Sequence, residues 1–327
     1  MNRSISEFAL IARYFAPLAT DRAALGLKDD ACVLEEEAGR ETIITADALV
    51  EGVHFLPDDP PELIAAKALR VNLSDLASKG ATPRGYLMAL ALPRQIEENW
   101  IAAFARGLEA DQTRFGISLL GGDTTATPGP LTIAITALGT APKGVMLKRG
   151  GARPGEAVYV SGTIGDAGGG LQLLQGRIAS SPGNEIASGN SFLIERYRRP
   201  TPRLALGKEL RRLASAALDV SDGLIADLGH IAEVSKLSIV LEAEAIPRSP
   251  ELAALWPGQD GIVRAATAGD DYEIAFTAPL SAGLPAAFSL GGVTVTKIGY
   301  TAPGDGVVLL NAAGNVVPVP RPGFVHF

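Results

Sequence analysis

The stretch ETIITADALVEGVHFLPDDPPELIAAKALRVNLSDLASKG, residues 41–80, contains the pattern that predicts the fold class. Its first segment, ETIITAD, is rich in β-forming residues and predicts a strand. A helix of about twenty residues follows, because the pair Pro60-Pro61 stands where helices begin and Gly80 stands where they end. A strand followed by a long helix predicts a mixed α/β fold.

The rest of the first half continues this mixture of elements. Near the start of the chain, Phe8, Ile11, Ala12 and Phe15 recur at helical spacing and predict a helix with one apolar face. The segment NWIAAFARGLEADQTRF predicts a second helix. Further strands are predicted at ACVLEE, RGYLMALAL, SLLGGD and PLTIAITALGT.

A domain connection is predicted between Pro142 and Gly155, where Gly, Pro and basic residues concentrate. A chain of 327 residues also exceeds the usual size of one hydrophobic core, so we expect two domains, 1–145 and 146–327. The second domain is again α/β, with two helical stretches before about residue 213. GRIASSPGNEIASGN reads as a flexible loop. Its predicted strands lie in AVYVSG, ALDVSDG, SIVLEAEA, YEIAFTAP, TVTKIGYT and VVLLN.

Composition excludes several classes of protein. No apolar run approaches the roughly 18 residues that a membrane span needs, and the N-terminal MNRSISEF lacks the apolar segment of a signal peptide, so we expect a soluble, cytoplasmic protein. Cys32 is the only cysteine, which excludes an internal disulfide framework and predicts a small buried apolar residue. The net charge of −7 argues against a broad nucleic-acid surface.

Aspartates recur at the ends of predicted strands and helices, each beside Gly, Ser, Thr or another small or acidic residue. Any one of these turns has a structural explanation, because Asp caps helices and closes turns. If several carboxylates converge, cations must offset their repulsion, and oxygen-only ligands select hard ions such as Mg²⁺. A carboxylate cluster of this kind indicates phosphoryl transfer. The turns are Lys28-Asp29-Asp30, Thr45-Ala46-Asp47, Asn72-Leu73-Ser74-Asp75, Gly121-Gly122-Asp123-Thr124, Asp219-Val220-Ser221-Asp222-Gly223 and Gly269-Asp270-Asp271-Tyr272.

Other phosphate-binding signals are weaker. Neither GxxxxGK[ST] nor a kinase HRD and DFG set occurs, so a different nucleotide fold is implied. The glycine-rich stretch 161–170 fits either a phosphate at a helix N-terminus or a tight packing turn. Lys148 and Arg149 are candidate phosphate contacts or ordinary exposed linker residues. Of the histidines, His54 lies in a motif-like loop, His230 is expected on the helix after SDG, and His326 near the C-terminus.

The ordered set DDAxV, TxDxLVEGVHF, NLSDxAxxGA, GGDT, RxGAxPG, SDGL and GxDYE resembles the thiamine-monophosphate kinase family. This family is part of a superfamily with aminoimidazole ribonucleotide synthetase, selenophosphate synthetase and a hydrogenase maturation protein. The resemblance covers nearly the whole chain. It implies an N-terminal α/β domain whose sheets form a barrel-like homodimer core, a C-terminal α/β domain, ATP as co-substrate, several Mg²⁺ ions and thiamine monophosphate as substrate.

The resemblance also implies roles for residues that match the motifs of the family. Asp30, Asp75, Asp123 and Asp222 are expected to act in catalysis through metal. ATP is expected to contact Gly122, Asp123, Arg149 and Ser221, and the substrate His54, Asp270 and Phe324. The implied metal ligands are Asp30, Thr45, Ala46, Asp47, Asp75, Asp123, Asp219 and Asp222.

Two positions depart from the family pattern. Lys28 stands where a glycine is usual beside the aspartate pair, and Asp270 stands where a glutamate is usual, which shortens a substrate-binding stem by one methylene. We expect in-line attack by the substrate phosphate on the γ-phosphate of ATP, without a strong general base because a phosphate oxygen is already anionic.

Two rival functions remain open at this stage. One is another ATP-dependent member of the superfamily, although Cys32 is not in a glycine-rich loop and the chain does not end in cysteine. The other is a nucleotide-sensing protein without turnover.

Overall fold

The computed structural model describes residues 7–29, 31–177 and 184–324. They divide into two compact units. The first contains the described residues up to Leu76 together with Ala81–Gly144, and the second contains Ala77–Gly80 together with the described residues from Val145 onward.

The elements of the first unit begin with a short helix α1 (Glu7–Leu10), which continues as a wider helical turn over Ile11–Phe15. They continue with β1 (Arg40–Val50), α2 (Pro61–Ser78), β2 (Thr82–Pro93), α3 (Glu98–Phe115), β3 (Ser118–Thr127) and β4 (Thr132–Pro142). The strands form one four-stranded sheet in the order β1-β4-β2-β3, in which only the β2–β3 pair is parallel.

One face of this sheet is covered by α2. Leu76 on α2 lies over Gly139 of β4, and Thr45 of β1 contacts Asp75 of the same helix. The glycine at position 107 allows α3 to approach α2 closely, because a Cβ there would lie 2.4 Å from the carbonyl oxygen of Glu62. The sheet side chains that alternate onto this face are accordingly buried, as Met88 and Ile135 show.

The opposite face of the sheet is covered only in part: Leu138 of β4 packs against Ala23, and the rest of this face is open in the described chain. Ile44 is 63% exposed, and Ala46, Ala48 and Ala89, which alternate onto the same face, are exposed as well. The sheet has two free edges, β1 and β3, so the described residues of one chain form an open sheet and no barrel. The barrel-like core that the resemblance implies is therefore not confirmed by the single chain.

The second unit contains a seven-stranded sheet whose central strands are buried on both faces. Its main order is β11-β7-β10-β5-β8-β6, with β9 beside β10, and only the β11–β7 pair is parallel. Its elements are β5 (Ala157–Ser161), α4 (Asp166–Leu174), α5 (Asn184–Arg198), α6 (Leu204–Leu210), β6 (Ala216–Asp219), α7 (Leu224–Ser235), β7 (Ser238–Glu242), α8 (Pro250–Leu255), α9 (Gly258–Thr267), β8 (Ile274–Ala278), β9 (Ala287–Leu290), β10 (Val293–Ala302) and β11 (Val307–Leu310).

Two apolar clusters cover the two faces of this second sheet. Val158 and Val160 of β5 belong to the cluster that includes Leu228 of α7, whereas Tyr159 lies in the other cluster with Leu206 of α6. Because alternate residues of β5 are buried on opposite faces, the strand reads as a continuous apolar run in the sequence.

Three local predictions differ from the structure. Residues 31–36 are irregular rather than a strand, although Cys32 is half-buried against Ala23 and Leu120 as a small apolar residue. The N-terminal apolar face is only partly formed, because Phe15 is buried while Phe8 is 81% exposed. Of the predicted loop 176–190, residues 178–183 lie outside the described residues, and the part from Asn184 on is helix α5. No helix in the described ranges has the length and apolar character needed to span a bilayer.

Candidate functional site

Thr45 and Asp75 of the first unit are in direct contact. The Thr45 hydroxyl donates a hydrogen bond to Asp75 Oδ2 at 2.5 Å, between β1 and α2. Asp47 is two residues further along β1, so its side chain is on the same face as that of Thr45. Its backbone N–H donates to Asn72 Oδ1 at 3.2 Å, one helical turn before Asp75. The side-chain oxygens of Thr45 and Asp75 thus meet where β1 borders α2, and Asp47 is tied to the same helix through its backbone N–H.

His54 is fixed at the end of β1. Its ring Nδ1 accepts the backbone N–H of Val50 at 3.0 Å, so the neutral ring has its proton on Nε2. The buried Lys67 side chain donates to the His54 carbonyl at 2.8 Å and holds the turn from beneath. The predicted substrate-binding histidine therefore has a defined orientation and tautomer.

Asp123 lies on the other face of the first sheet. The register pairs it with Ala89, in the row that continues through Ala134 to Ala48 and belongs to the open face. Its neighbour Gly122 is in the row of Asp47, and β1 and β3 are at opposite edges of the sheet. Asp47 and Asp123 therefore do not share a pocket in the single chain. Ala46 likewise faces the open side.

The convergence of all the acidic turns stays a prediction. Asp30 lies outside the described residues, and the other predicted ligands are divided between the two units. Among the described residues, no group of three or more His, Cys, Asp or Glu side chains is arranged to hold a metal ion.

The Ser221–Gly223 loop of the second unit joins β6 to α7 and is held by Asp227. The Asp227 Oδ2 accepts the N–H groups of Ser221, Asp222 and Gly223 at 2.9, 3.0 and 3.2 Å. Burial, with a further contribution from the charge of Asp222, raises the pKa of Asp227 to about 7. Asp219, a predicted metal ligand, precedes this loop at the end of β6 and is buried.

Two other segments dock on the carbonyl groups of this loop. The N–H of Asp270 donates to the Ser221 carbonyl at 2.7 Å, and the N–H of Phe324 donates to the Asp222 carbonyl at 2.9 Å. Asp270 and Tyr272 adopt left-handed backbone conformations, with φ of 71° and 51°, and the Tyr272 hydroxyl lies 3.3 Å from Asp270 Oδ1. The structure thus brings together four predicted residues, Ser221, Asp222, Asp270 and Phe324. Left-handed non-glycine residues are costly and concentrate at functional sites.

Arg149 is exposed in the irregular segment before β5. The preceding residue, Lys148, accepts the N–H of Ala217 on its carbonyl at 2.8 Å, so the segment is fixed beside β6. This anchors the backbone next to Arg149 on the strand that leads to Asp219.

The glycine-rich stretch 161–170 is a packing turn in this structure. The carboxylate of Asp271 accepts the N–H groups of Gly165 and Ala167 at the N-terminus of α4, so the position that a phosphate would need is filled by a buried side chain. Burial raises the pKa of Asp271 well above its usual range, although Arg196 opposes the shift. A Cβ at Gly170 would lie 2.1 Å from the Leu193 carbonyl oxygen, so this glycine allows α4 and α5 to touch.

A buried ionic network underlies the Gly269–Tyr272 turn, and sequence reasoning missed it. Glu273 is fully buried and accepts hydrogen bonds from Arg196, Arg203 and the Ser161 hydroxyl. Arg196 also donates to the Asp271 carbonyl. Strand periodicity could not have revealed it, because Asp270 and Tyr272 are left-handed and the segment before β8 is not an extended strand.

Comparisons with known proteins agree along most of the chain. Two family models match, AIR synthase related protein, N-terminal domain, over residues 28–141, and AIR synthase related protein, C-terminal domain, over residues 153–310. The thiamine-monophosphate kinase of Caulobacter vibrioides is 42% identical over 329 residues, which cover 98% of this chain and 91% of that protein.

Two solved structures are similar over nearly their full length. The thiamine-monophosphate kinase of Stenotrophomonas maltophilia K279a has a TM-score of 0.79 at 40% identity, with 96% of this chain and 99% of that chain covered. The structure of AaThiL complexed with AMPPCP and TMP has a TM-score of 0.78 at 31% identity, with 100% and 99% covered.

Proposed function

The chain belongs to the thiamine-monophosphate kinase family, and from this membership we infer that it transfers the γ-phosphate of ATP to thiamine monophosphate, giving thiamine diphosphate and ADP. The observation that carries this conclusion is the 42% identity to a thiamine-monophosphate kinase across 98% of the chain. The AaThiL complex with AMPPCP and TMP supports the same pair of ligands. We place the reaction in the cytoplasm, where ATP is available.

We propose that the grouped loops of the second unit bind the two phosphate-bearing molecules. Ser221 is the proposed ATP contact, and Asp270 and Phe324 are proposed substrate contacts. The hydrogen bonds from Asp270 and Phe324 to the Ser221–Asp222 backbone support this assignment, because they hold residues for both ligands on one loop. His54 of the first unit, with a defined ring orientation, is a further proposed substrate contact. Gly122 and Arg149 stay proposed ATP contacts.

We propose Mg²⁺ as the metal. The donors that meet at β1 and α2 are hydroxyl and carboxylate oxygens, and the described residues around them provide no cysteine or paired histidines, so the donor chemistry fits a hard cation. Thr45, Asp47 and Asp75 are the proposed ligands in the first unit, and Asp219 and Asp222 in the second. Asp30, Ala46 and Asp123 complete the proposed set. When bound, Mg²⁺ supplies neutralisation of the negative charge that ATP and the substrate phosphate bring together.

The protein's own residues would then act by positioning the two substrates relative to each other. The acceptor oxygen on the substrate phosphate is already anionic near neutral pH, so in-line transfer requires no strong general base. The task of the loops is to hold the acceptor oxygen in line with the γ-phosphate. Catalytic roles of Asp30, Asp75, Asp123 and Asp222 are proposed to operate through the metal.

We also propose that the enzyme is a homodimer through the open face of its first sheet. Ile44, Ala46, Ala48 and Ala89 make the uncovered part of this face apolar in the single chain. An apolar sheet face is stable in water when a second layer covers it. A second copy of the same face is the occupant that the family resemblance implies, and Asp123 projects from this face.

The proposed function is tested by measuring ADP release from ATP with thiamine monophosphate, thiamine, an aminoimidazole ribonucleotide precursor or no acceptor. We expect turnover with thiamine monophosphate only, and loss of turnover when a chelator removes Mg²⁺. Turnover with the ribonucleotide precursor alone would assign the chain to another reaction of the superfamily. Binding of ATP without turnover on any acceptor would identify a nucleotide-sensing protein.

A further inference from the structure

Asp227 is a buried carboxylate to which the sequence motifs assign no role. It lies in the first turn of α7, is 2% exposed, and reaches back to the three residues that precede the helix. One oxygen, Oδ2, accepts the successive N–H groups of Ser221, Asp222 and Gly223. A carboxyl oxygen that carries no proton can accept N–H donors in this way whether or not the second oxygen is protonated.

The peptide groups whose N–H groups bond to Asp227 also accept hydrogen bonds on their carbonyl oxygens. Their donors are two other proposed binding residues. The Ser221 carbonyl accepts the N–H of Asp270, and the Asp222 carbonyl accepts the N–H of Phe324. Glycines permit these approaches, since a Cβ at Gly269 would lie 2.6 Å from the Ser221 oxygen and one at Gly323 would lie 2.5 Å from the Asp222 oxygen. One carboxylate therefore anchors a loop on which two further segments rest.

We propose that Asp227 is a positioning residue for the binding of both ligands. It sets the geometry of Ser221 and Asp222 directly, and it sets that of Asp270 and Phe324 through the carbonyl groups of the loop. This inference rests on the proposed function for its kinetic consequences, while its structural content concerns the loop alone. Asp227 itself touches backbone N–H groups and is not a proposed ligand contact.

The experiment compares Asp227→Ala and Asp227→Asn with a matched control. Asparagine keeps the size and one acceptor oxygen but lacks the charge, so it separates the carboxylate from the volume that it fills. The control is Glu156→Gln, which also converts a buried carboxylate of the second unit to an amide. Glu156 bonds the Ser215 hydroxyl at 2.7 Å beside the start of β5, at the opposite end of that strand from Ser161.

Two readouts are needed. Backbone hydrogen exchange of the ligand-free protein reports how strongly the N–H groups of residues 220–224 and 269–272 are protected, independently of the reaction that the enzyme catalyses. Steady-state kinetics report the effect on kcat/KM for ATP and for thiamine monophosphate. We expect faster exchange in both segments, and a fall of roughly 10- to 100-fold in both kcat/KM values for Asp227→Ala, with Asp227→Asn between it and the wild type.

The outcomes separate this inference from the proposed function. Unchanged exchange in 220–224 in a folded Asp227→Ala or Asp227→Asn protein would overturn the positioning role. An equal kinetic loss in Glu156→Gln would also overturn it, by showing a general effect of buried charge. If the wild-type protein does not phosphorylate thiamine monophosphate, the proposed function fails, and the exchange data still decide the role of Asp227.

Discussion

Asp270 and Asp271 are adjacent in the sequence and have opposite environments. Asp270 is half-buried in a left-handed conformation with its N–H on the Ser221 carbonyl, whereas Asp271 is fully buried at the N-terminus of α4. Only the first is therefore available to a ligand from this turn. The shorter side chain of Asp270, relative to the usual glutamate, lies within reach of the Tyr272 hydroxyl.

Sequence reasoning at the residue scale found the motif carboxylates and missed the residues that hold them. Ser221, Asp222, Asp270 and Phe324 were predicted from motifs, and the structure groups them on one loop. Asp227 and Glu273 carry no such signal, because a buried carboxylate looks the same in sequence as an exposed one. Their partners are backbone N–H groups and distant arginines, which only the folded chain brings near.

Asp75→Asn tests the proposed metal role in the first unit. The amide oxygen can still accept the Thr45 hydroxyl, so we expect little change in the thermal unfolding temperature. The lost charge should lower kcat/KM by about 100-fold or more, because charge neutralisation supplies most of the rate enhancement in phosphoryl transfer. Asp58→Asn, at an exposed position of the same unit, is the control and should keep wild-type activity. A fully active Asp75→Asn enzyme would contradict the role.

Asp123→Asn makes a parallel test on the other face of the sheet. Asp123 is exposed in the single chain, so the substitution should leave the unfolding temperature unchanged. We expect a comparable loss of kcat/KM, since the motif that carries Asp123 is a proposed ATP and metal contact. Normal turnover in Asp123→Asn, measured as ADP release, would remove it from the proposed site.

The raised pKa of Asp271 predicts a pH dependence of stability. In the unfolded chain an aspartate has a pKa near 3.9, while burial raises the folded pKa well above that value. Between the unfolded and the folded pKa, the folded state binds more protons than the unfolded state. The free energy of unfolding therefore falls as pH rises through this range. The buried Asp166, whose pKa is also raised by burial, contributes in the same direction.

Asp271→Asn removes one of these titrations. Denaturant midpoints measured from pH 5 to pH 8 should decline less steeply in the variant than in the wild type. The exposed loop variant Asp305→Asn should keep the wild-type slope. A slope that is unchanged in Asp271→Asn would show that the carboxyl is ionised across this range.

At the scale of elements, strands buried on both faces were the easiest to predict. The cores of β5 and β8 are fully buried, and each gave a continuous apolar run in the sequence. Residues 31–36 also combine apolar and acidic residues, yet they are not paired in either sheet and remain irregular. β-propensity reflects packing against neighbouring strands, so it overpredicts where no neighbour is present.

The glycines of α4 show how packing overrides helix propensity. Gly is unfavourable inside a helix by about 1 kcal/mol relative to Ala, yet α4 contains Gly168, Gly169 and Gly170. The Leu193 carbonyl leaves no space for a Cβ at Gly170, so α5 could not approach α4 if that residue were larger. The cost in propensity is offset by close contact between the two helices.

Gly170→Ala and Gly229→Ala form a matched pair of helix substitutions. The first places a Cβ 2.1 Å from a backbone oxygen of α5 and should lower the free energy of unfolding by about 1–3 kcal/mol. Gly229 in α7 has no atom within 4 Å of its would-be Cβ, so alanine there should stabilise by up to about 1 kcal/mol. Urea denaturation measures both. A stabilising Gly170→Ala would contradict the packing account.

At the scale of the whole molecule, one chain does not fully cover the second face of its first sheet. The strands β1, β4, β2 and β3 bury one face under α2, whereas on the other face Ile44, Ala46, Ala48 and Ala89 stay exposed although they are apolar. The sequence predicted the strands but could not show which face is covered, because alternation looks the same for a helix of the same chain and for a second copy.

Ile44→Asp tests whether a second copy covers this face. Ile44 is 63% exposed in the single chain, so an aspartate there costs little in a monomer. In a dimer through this face the carboxylate would be buried without a partner, which is unfavourable enough to separate the subunits. Sedimentation velocity should give a dimer for the wild type and a monomer for Ile44→Asp. Leu280→Asp, at a position that is 69% exposed in the second unit, should remain dimeric. A dimeric Ile44→Asp protein would assign the interface to another surface. Asp123 projects from the open face, so a monomeric Ile44→Asp variant with full activity would show that Asp123 acts without the second copy.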